Sequence, residues 1–316
     1  MAIRVTQHQL TQKMLTSMRE RMAEQSKYND QILQETRIFK PSDDPLGTSK
    51  LLGVDNKQRR LDEYKSTVTQ AKSWMESTHQ ELDKTSGIWK RISELAKQAN
   101  NGVRNQDDQE TISRELDQLI QDLVEAANGK HNGEYVFGGS QTRSAAFQAE
   151  MSSDGQQITG VFYQGDSRVR EVKTAESGRL KTSILGSNSS NPNQKGVFID
   201  SNEDINLFST AIELRNRTQS NNLIGAGEIG GIIDKIDAAA KNITSTQSRL
   251  GASIQSLELD RKAIQQQNAD IDIYRRDITS IDRAELLIKL TEINNSYQAA
   301  LASSVRLMQQ GLLKFI

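Results

Sequence analysis

Val54, Leu61, Val68, Met75, Leu82, Trp89, Ala96 and Val103 follow one another at intervals of seven residues without a break. No other feature of this 316-residue sequence restricts its fold as sharply. An apolar residue every 3.5 positions holds to one stripe of an α-helix only when the helix winds left-handedly about a partner. Tyr64, Ala71, Ile92 and Ala99 fall three residues further on and supply the companion position, which Thr78 and Thr85 weaken. At 1.5 Å per residue, a helix from Pro45 to Val103 is about 85–90 Å long.

Ile229, Ile236, Ile243, Leu250, Leu257, Ile264, Ile271 and Ile278 repeat the interval downstream. The companion positions of this second series are mostly polar, as at Gln247, Arg261, Asn268 and Arg275. That one-sided seam predicts a long bundle helix whose polar flank faces solvent or other subunits. Between the two series, Ile112, Leu116, Leu119, Leu123 and Ala126 alternate spacings of four and three, the pattern of a shorter amphipathic helix. The expected architecture is an elongated bundle of these three helices, with Leu257 and Ile264 against the helix that carries Leu82 and Trp89. Pro41, Pro45 and Pro192 all fall outside the periodic stretches, where each would cost a helix interior about 3 kcal/mol.

The composition suits narrow seams better than a thick core, with only 35% apolar and 5% aromatic residues. Forty basic residues against 41 acidic ones leave a net charge of −1, which gives no electrostatic case for nucleic acid or an anionic membrane. Protein partners are expected instead. With no cysteine, disulfides, thiolate metal sites and cysteine nucleophiles are excluded. No apolar run approaches the ~20 residues of a membrane span. The opening MAIRVTQHQLTQKML has neither the apolar block nor the small-residue cleavage site of a secretory signal, so export, if it occurs, is expected by another route.

From Asn132 to about Gly231 the sequence turns to Gly, Ser, Asn and short β-prone runs: EYVFGG (134–139), GVFYQG (160–165) and RLKTSIL (179–185). These predict hairpins joined by turns. SNSSNPNQKG (187–196) reads as an exposed loop, followed by a short helix at Leu207 to Leu214. At the two ends, Met14, Met18, Met22 and Ile32 mark one amphipathic stretch, and Leu287, Leu290, Tyr297, Leu301, Met308 and Phe315 another, with Asn294 interrupting its heptad. Neither buries its apolar face alone, so both are expected to order only against each other or a neighbouring subunit.

Candidate sites for chemistry do not survive inspection. GAGEIG (225–230) fits the dinucleotide fingerprint G-x-G-x-x-G, but polar residues at Ser220 to Asn222 precede it where a strand is required, and ~20 residues on lies helix near Leu250 rather than a strand ending in an acidic residue. The carboxylates of KPSDDP (40–45) suit a helix start. Asp44 caps a helix whose first residue is Pro45, while Ser42 and Asp43 add polar or negative character at the positive end of its dipole. His8, His79 and His131 share no metal or triad spacing, and Trp74 and Trp89 are assigned to core or interface. The sequons at Asn188, Asn242 and Asn294 are short patterns expected by chance. No catalytic residue, cofactor or metal is expected.

The arrangement resembles the flagellin family of axial proteins: helical ends, two long heptad helices, and a β insertion between them. RIFKPSDDPLGTSKLL (37–52) looks like the family's link from terminal helix to first long helix. NGEYVFGGSQTRSAAF (132–147) and FYQGDSRVREV (162–172) look like the start of the outer domain in the hook-associated protein 3 group. PSDDP with its two prolines, and the ending LLKFI (312–316), depart from flagellin, which tends to an AADDAAG-like link and an end near LSLLR. The resemblance implies three domains: a terminal helical assembly domain (1–44 and 281–316), a long-helix bundle (45–132 and 226–280) and an outer β-rich domain (133–225). It also implies a structural subunit that forms a ring of identical copies between hook and filament, contacting another hook-associated protein on one side and flagellin on the other. Type III export as an unfolded chain, guarded by a cytoplasmic chaperone, is implied as well. The alternatives are a filament flagellin and an intracellular coiled-coil scaffold.

Overall fold

The computed structural model describes residues 7–100, 106–176, 178–189, 191, 193–219 and 229–312. Six helices and nine short strands follow in the order α1 (Gln7–Gln34), α2 (Pro45–Asn100), α3 (Gln106–Ala127), β1 (Lys130–His131), β2 (Glu134–Tyr135), β3 (Phe147–Met151), β4 (Ile158–Tyr163), β5 (Glu171–Lys173), β6 (Arg179–Lys181), β7 (Leu185–Ser187), β8 (Gly196–Asp200), β9 (Ile205–Asn206), α4 (Leu207–Gln219), α5 (Gly230–Thr279) and α6 (Arg283–Leu312). The chain is mainly α with a β-rich insertion. It divides into two compact units, one of Met1–Arg60 with Gln267–Ile316 and one of Leu61–Gln266, so the division falls inside α2 and inside α5.

Both seven-residue series are buried. Val54 through Ala96 on α2, and Ile229 just before α5 through Ile278 on it, are each less than a tenth exposed at every seventh position. Val103 and residues 225–228 of the glycine motif lie outside the described residues, as does Pro192. Thr78 and Thr85 do not weaken the α2 seam. Both are fully buried, because their hydroxyls donate to the carbonyls of Trp74 and Glu81 one turn back, at 2.9 and 2.8 Å. The back-bonded hydroxyl leaves a methyl group to pack.

The polar flank of α5 bonds to α2 rather than facing away from it. In the larger unit, Gln247 donates to Asp83 at 2.7 Å and Lys72 to Glu258 at 2.8 Å, and Trp89 Nε1 donates to the Ile236 carbonyl at 2.9 Å. Eleven residues forward along α2, from Lys72 to Asp83, is eleven residues back along α5, from Glu258 to Gln247, so the helices run antiparallel in a fixed register. Leu257 therefore stands level with the turn of Lys72 to Met75, and Leu82 level with Leu250. On α2, the helix that carries Leu82 and Trp89, that level lies roughly two turns or more before Leu82.

The insertion belongs to the same unit. Antiparallel hairpins β1–β2, β3–β4 and β5–β6 are joined by a three-stranded sheet in which β7 runs parallel to β8 and β9 antiparallel to it. Of EYVFGG only Glu134–Tyr135 is strand. Phe137 and Phe147 instead enter an aromatic core with Phe198 and Phe208, at centroid distances of 5.0 to 5.2 Å. Buried Arg215 of α4 fixes that helix to α3 through Asp117 at 2.6 Å and to β4 through the Ile158 carbonyl at 3.1 Å. The shift of composition near residue 133 thus marks a change of secondary structure inside one contact unit. The loop expected to be exposed at 187–196 is partly buried, since Ser187, Asn188 and Gly196 are shielded from solvent.

Candidate functional site

The smaller unit holds every terminal and junction residue singled out in the sequence. α1 and α6 pack on each other, so the two ends of the chain supply each other's partner. The pairing is only partly apolar. Gln25 donates to Asn294 at 2.7 Å and Arg21 bonds the Ser296 hydroxyl, so the residue that interrupts the heptad of α6 is a cross-helix contact. Met14, Met18, Ile32, Leu290 and Tyr297 are half-buried. Met22, Leu287 and Leu301 stay exposed, together with Leu15, Leu33, Ile288 and Val305. Met308 falls within α6, and Phe315 lies outside the described residues.

The link from α1 to α2 is built by carboxylates. Glu35, with φ 53°, ends α1 in the left-handed conformation and bonds Arg283 at the start of α6. Asp44 accepts the Gly47 N–H at 2.8 Å, three residues on, which is the N-cap geometry with Pro45 in the first helical position. Asp43 serves the preceding turn. Its Oδ2 accepts the N–H groups of Lys40 and Phe39 at 3.0 and 3.2 Å, and its Oδ1 pairs with Lys27 of α1 at 3.0 Å. The Lys40 amide first, then Lys27, hold the Asp43 carboxyl below its ordinary value. Pro41 and Ser42 are exposed.

Arg37 joins this link to the end of α5. Its N–H donates to the Thr279 carbonyl at 2.8 Å, and its guanidinium reaches the Ile278 carbonyl at 3.2 Å and Asp44 at 3.0 Å. Buried Gln31 donates back to the Arg37 carbonyl at 2.9 Å. Asp282 caps α6 by accepting the N–H groups of Ala284 and Glu285 at 2.9 and 3.1 Å. Sequence reasoning passed over Arg37, Gln31 and Asp282. Only Asp282, a carboxylate one residue ahead of a helix, carries a local signal.

Among the described residues, no three His, Cys, Asp or Glu side chains are grouped to hold a metal ion, and no helix is long and apolar enough to cross a membrane. His79 approaches Asp83 at 3.9 Å, and His131 sits 2.6 Å from the Ser77 hydroxyl, far from the arrangement of a triad. Trp74 is buried edge-on to His131 at 5.7 Å. The site is a surface of paired helices with exposed apolar side chains, held by a capped and ion-paired link.

The paired helical ends and the long heptad helices define a helical structural protein. The bacterial flagellin N-terminal helical region matches residues 5–142, and the flagellin C-terminal helical region matches residues 233–316. The chain belongs to the bacterial flagellin family, whose members are structural proteins of the flagellum rather than enzymes. It is 23% identical over 266 residues to flagellar hook-associated protein 3 of Salmonella typhimurium, a match covering 81% of each chain. A protein of Vibrio parahaemolyticus described as a flagellar hook-associated protein has the same fold, with TM-score 0.64 and 20% identity over 75% of this chain and all of that one. Flagellar hook-associated protein 3 of Legionella pneumophila is similar too, with TM-score 0.57 and 18% identity over 77% of this chain and 99% of the other.

Proposed function

We propose that the chain is the junction adaptor of the bacterial flagellum, a subunit polymerised between hook and filament. The observation that carries this reading is the α1–α6 pair. Its helices hold together through polar contacts while Met22, Leu287 and Leu301 remain exposed, on a chain similar over most of its length to hook-associated protein 3. In the assembled ring, neighbouring copies cover those side chains, and burying each contributes about 1.5–3 kcal/mol. The hook-side neighbour is another hook-associated protein and the filament-side neighbour is flagellin. The subunit leaves the cell unfolded through the type III apparatus, with a cytoplasmic chaperone covering the ends beforehand. The terminal helices act as the assembly domain, the long helices as the bundle domain, and the β-rich region as the third domain.

Truncation after Ala284 tests this, because it removes nearly all of α6 and leaves the larger unit whole. In cells lacking the native gene, the full chain should restore attached filaments, whereas the truncated form should leave cells that shed flagellin into the medium. Normal filaments on cells expressing only the truncated form would refute the role assigned to the ends.

A further inference from the structure

β4 pairs with β3 alone, so its other edge is unpaired among the described residues. Which backbone groups face that edge follows from the bonds around it. The Gln164 N–H donates to the Ala146 carbonyl at 2.8 Å. Both backbone groups of Phe147 go to Asn128 instead, the N–H to its Oδ1 at 3.0 Å and the carbonyl to its Nδ2 at 2.8 Å. Bonded and non-bonded pairs alternate along an antiparallel ladder. With Ala146–Gln164 bonded and Phe147–Tyr163 not, Gln148–Phe162 is bonded again and Ala149–Val161 is not. Val161 and Tyr163 therefore turn both N–H and C=O away from β3, toward the free edge, where no described residue bonds them. The Ile158 carbonyl is met by Arg215 of α4 at 3.1 Å, which sets the helix alongside the strand.

Beyond Ile158, Thr159 to Phe162 form one side of an open groove of about 580 Å³, and Ser209, Ile212, Glu213 and Asn216 of α4 form the other. Its size is that of a ligand site. An exposed strand edge is a template for another strand, and proteins guard it with charge, proline or a bulge. β4 carries neither a charged residue nor a proline between Gly155 and Gly165. Its bulge lies between Ile158 and Gly160 and leaves Gly160 to Tyr163 in regular register. Phe162, within that regular stretch, is 58% exposed.

We infer that this groove takes an extended, uncharged peptide segment of a partner protein, added beside β4 as a third strand through the N–H and C=O groups of Val161 and Tyr163. Donor and acceptor pairs on alternate residues match an extended backbone. Charge selects the kind of segment. Glu213, the one carboxylate lining the groove, is held by Lys235 at 3.3 Å and Arg217 at 3.9 Å, so neither wall draws an acidic or a basic peptide. α4 stands across from the edge, so a lone strand fits where the rim of a second sheet would meet the helix. Phe162 offers that strand an apolar contact on one face.

The test pans a phage-displayed library of random heptapeptides against the immobilised full chain, then titrates the enriched peptides, made synthetically, into the chain and two variants. Val161→Pro removes an N–H that the fold does not use, which an edge strand tolerates. Phe162→Ser alters an exposed side chain and keeps the test open if the proline variant does not fold. Enriched peptides should be uncharged, should slow amide exchange at Val161 and Tyr163, and should bind Val161→Pro about tenfold more weakly, the effect of one lost backbone bond. Binding to Phe162→Ser should weaken too. No enrichment, a charged consensus, or peptides that bind both variants as well as the parent chain would overturn the inference. Glucose or N-acetylglucosamine competing with the peptides at Phe162 would overturn it in favour of a sugar site.

Discussion

Replacing Leu257 with Ala probes both the seam and its register. Leu257 is fully buried on α5, and removing a buried leucine side chain costs about 2–5 kcal/mol. For a cooperative unit of this size, each kcal/mol shifts the melting temperature by about 2–4 °C, so the variant should melt between ~4 and ~20 °C lower, followed by helical circular dichroism. The register adds a sharper condition. Lys72 pairs with Glu258, the neighbour of Leu257, so Met75 lies within a turn of its level. Trp89 lies 17 residues beyond Lys72, about 25 Å along α2 at 1.5 Å per residue. A double-mutant cycle of Leu257→Ala with Met75→Ala should therefore show coupling of about 0.5–3 kcal/mol, and with Trp89→Ala additivity within ~0.5 kcal/mol. Coupling to Trp89 with none to Met75 would refute the register, and an unchanged melting temperature would refute the seam.

Arg215→Ala should cost about 2–4 kcal/mol, read from the urea midpoint, because it empties a buried site and leaves the Ile158 carbonyl unpaired, while Asp117, one-fifth exposed, keeps its bond from Gln157; a loss below ~1 kcal/mol would contradict that assignment. The Asp166 carboxyl sits at a pKa of about 2: burial raises it, but the Ser140 hydroxyl and N–H and the Arg168 side chain and N–H outweigh that and lower it from 3.8. Because the folded value is lowered, its contribution to stability is complete above pH ~4 and is lost as pH falls through ~2. Carboxyl chemical shifts followed by NMR should show the lowered midpoint, and an ordinary one would count against these bonds. Gly139→Ala should loosen the same turn, since Gly139 has φ 70° and an added Cβ would lie 2.3 Å from Asp166 Oδ1; amide hydrogen exchange at Ser140 should rise relative to the unaltered chain.

The long helices were legible because one rule, an apolar residue every seventh position, holds over seven positions on each. What that rule misjudged were polar residues that satisfy themselves. Thr78 and Thr85 return their hydroxyls to the helix backbone, so hydropathy undervalues them as seam residues. Gln247 and Arg275 read as an outward flank, yet long side chains reach across a helix pair, and Gln247 meets Asp83 while Arg275 meets Asp55 at 2.6 Å. Asn188 looked like loop because its surroundings are Ser and Asn, and only the three-dimensional network shows that its amide replaces missing backbone bonds. At the junction, PSDDP announced a helix start through familiar capping chemistry. The role of Arg37, which joins positions more than 240 residues apart in sequence, has no local signature at all.

The central claim, a junction adaptor rather than a filament subunit, is tested most directly by immunogold electron microscopy of intact flagella with an antibody to the 133–219 region. Label confined to one narrow band where hook meets filament is the predicted result. Label distributed along the filament would identify a flagellin instead, and label absent from flagella and retained inside cells would contradict the account altogether.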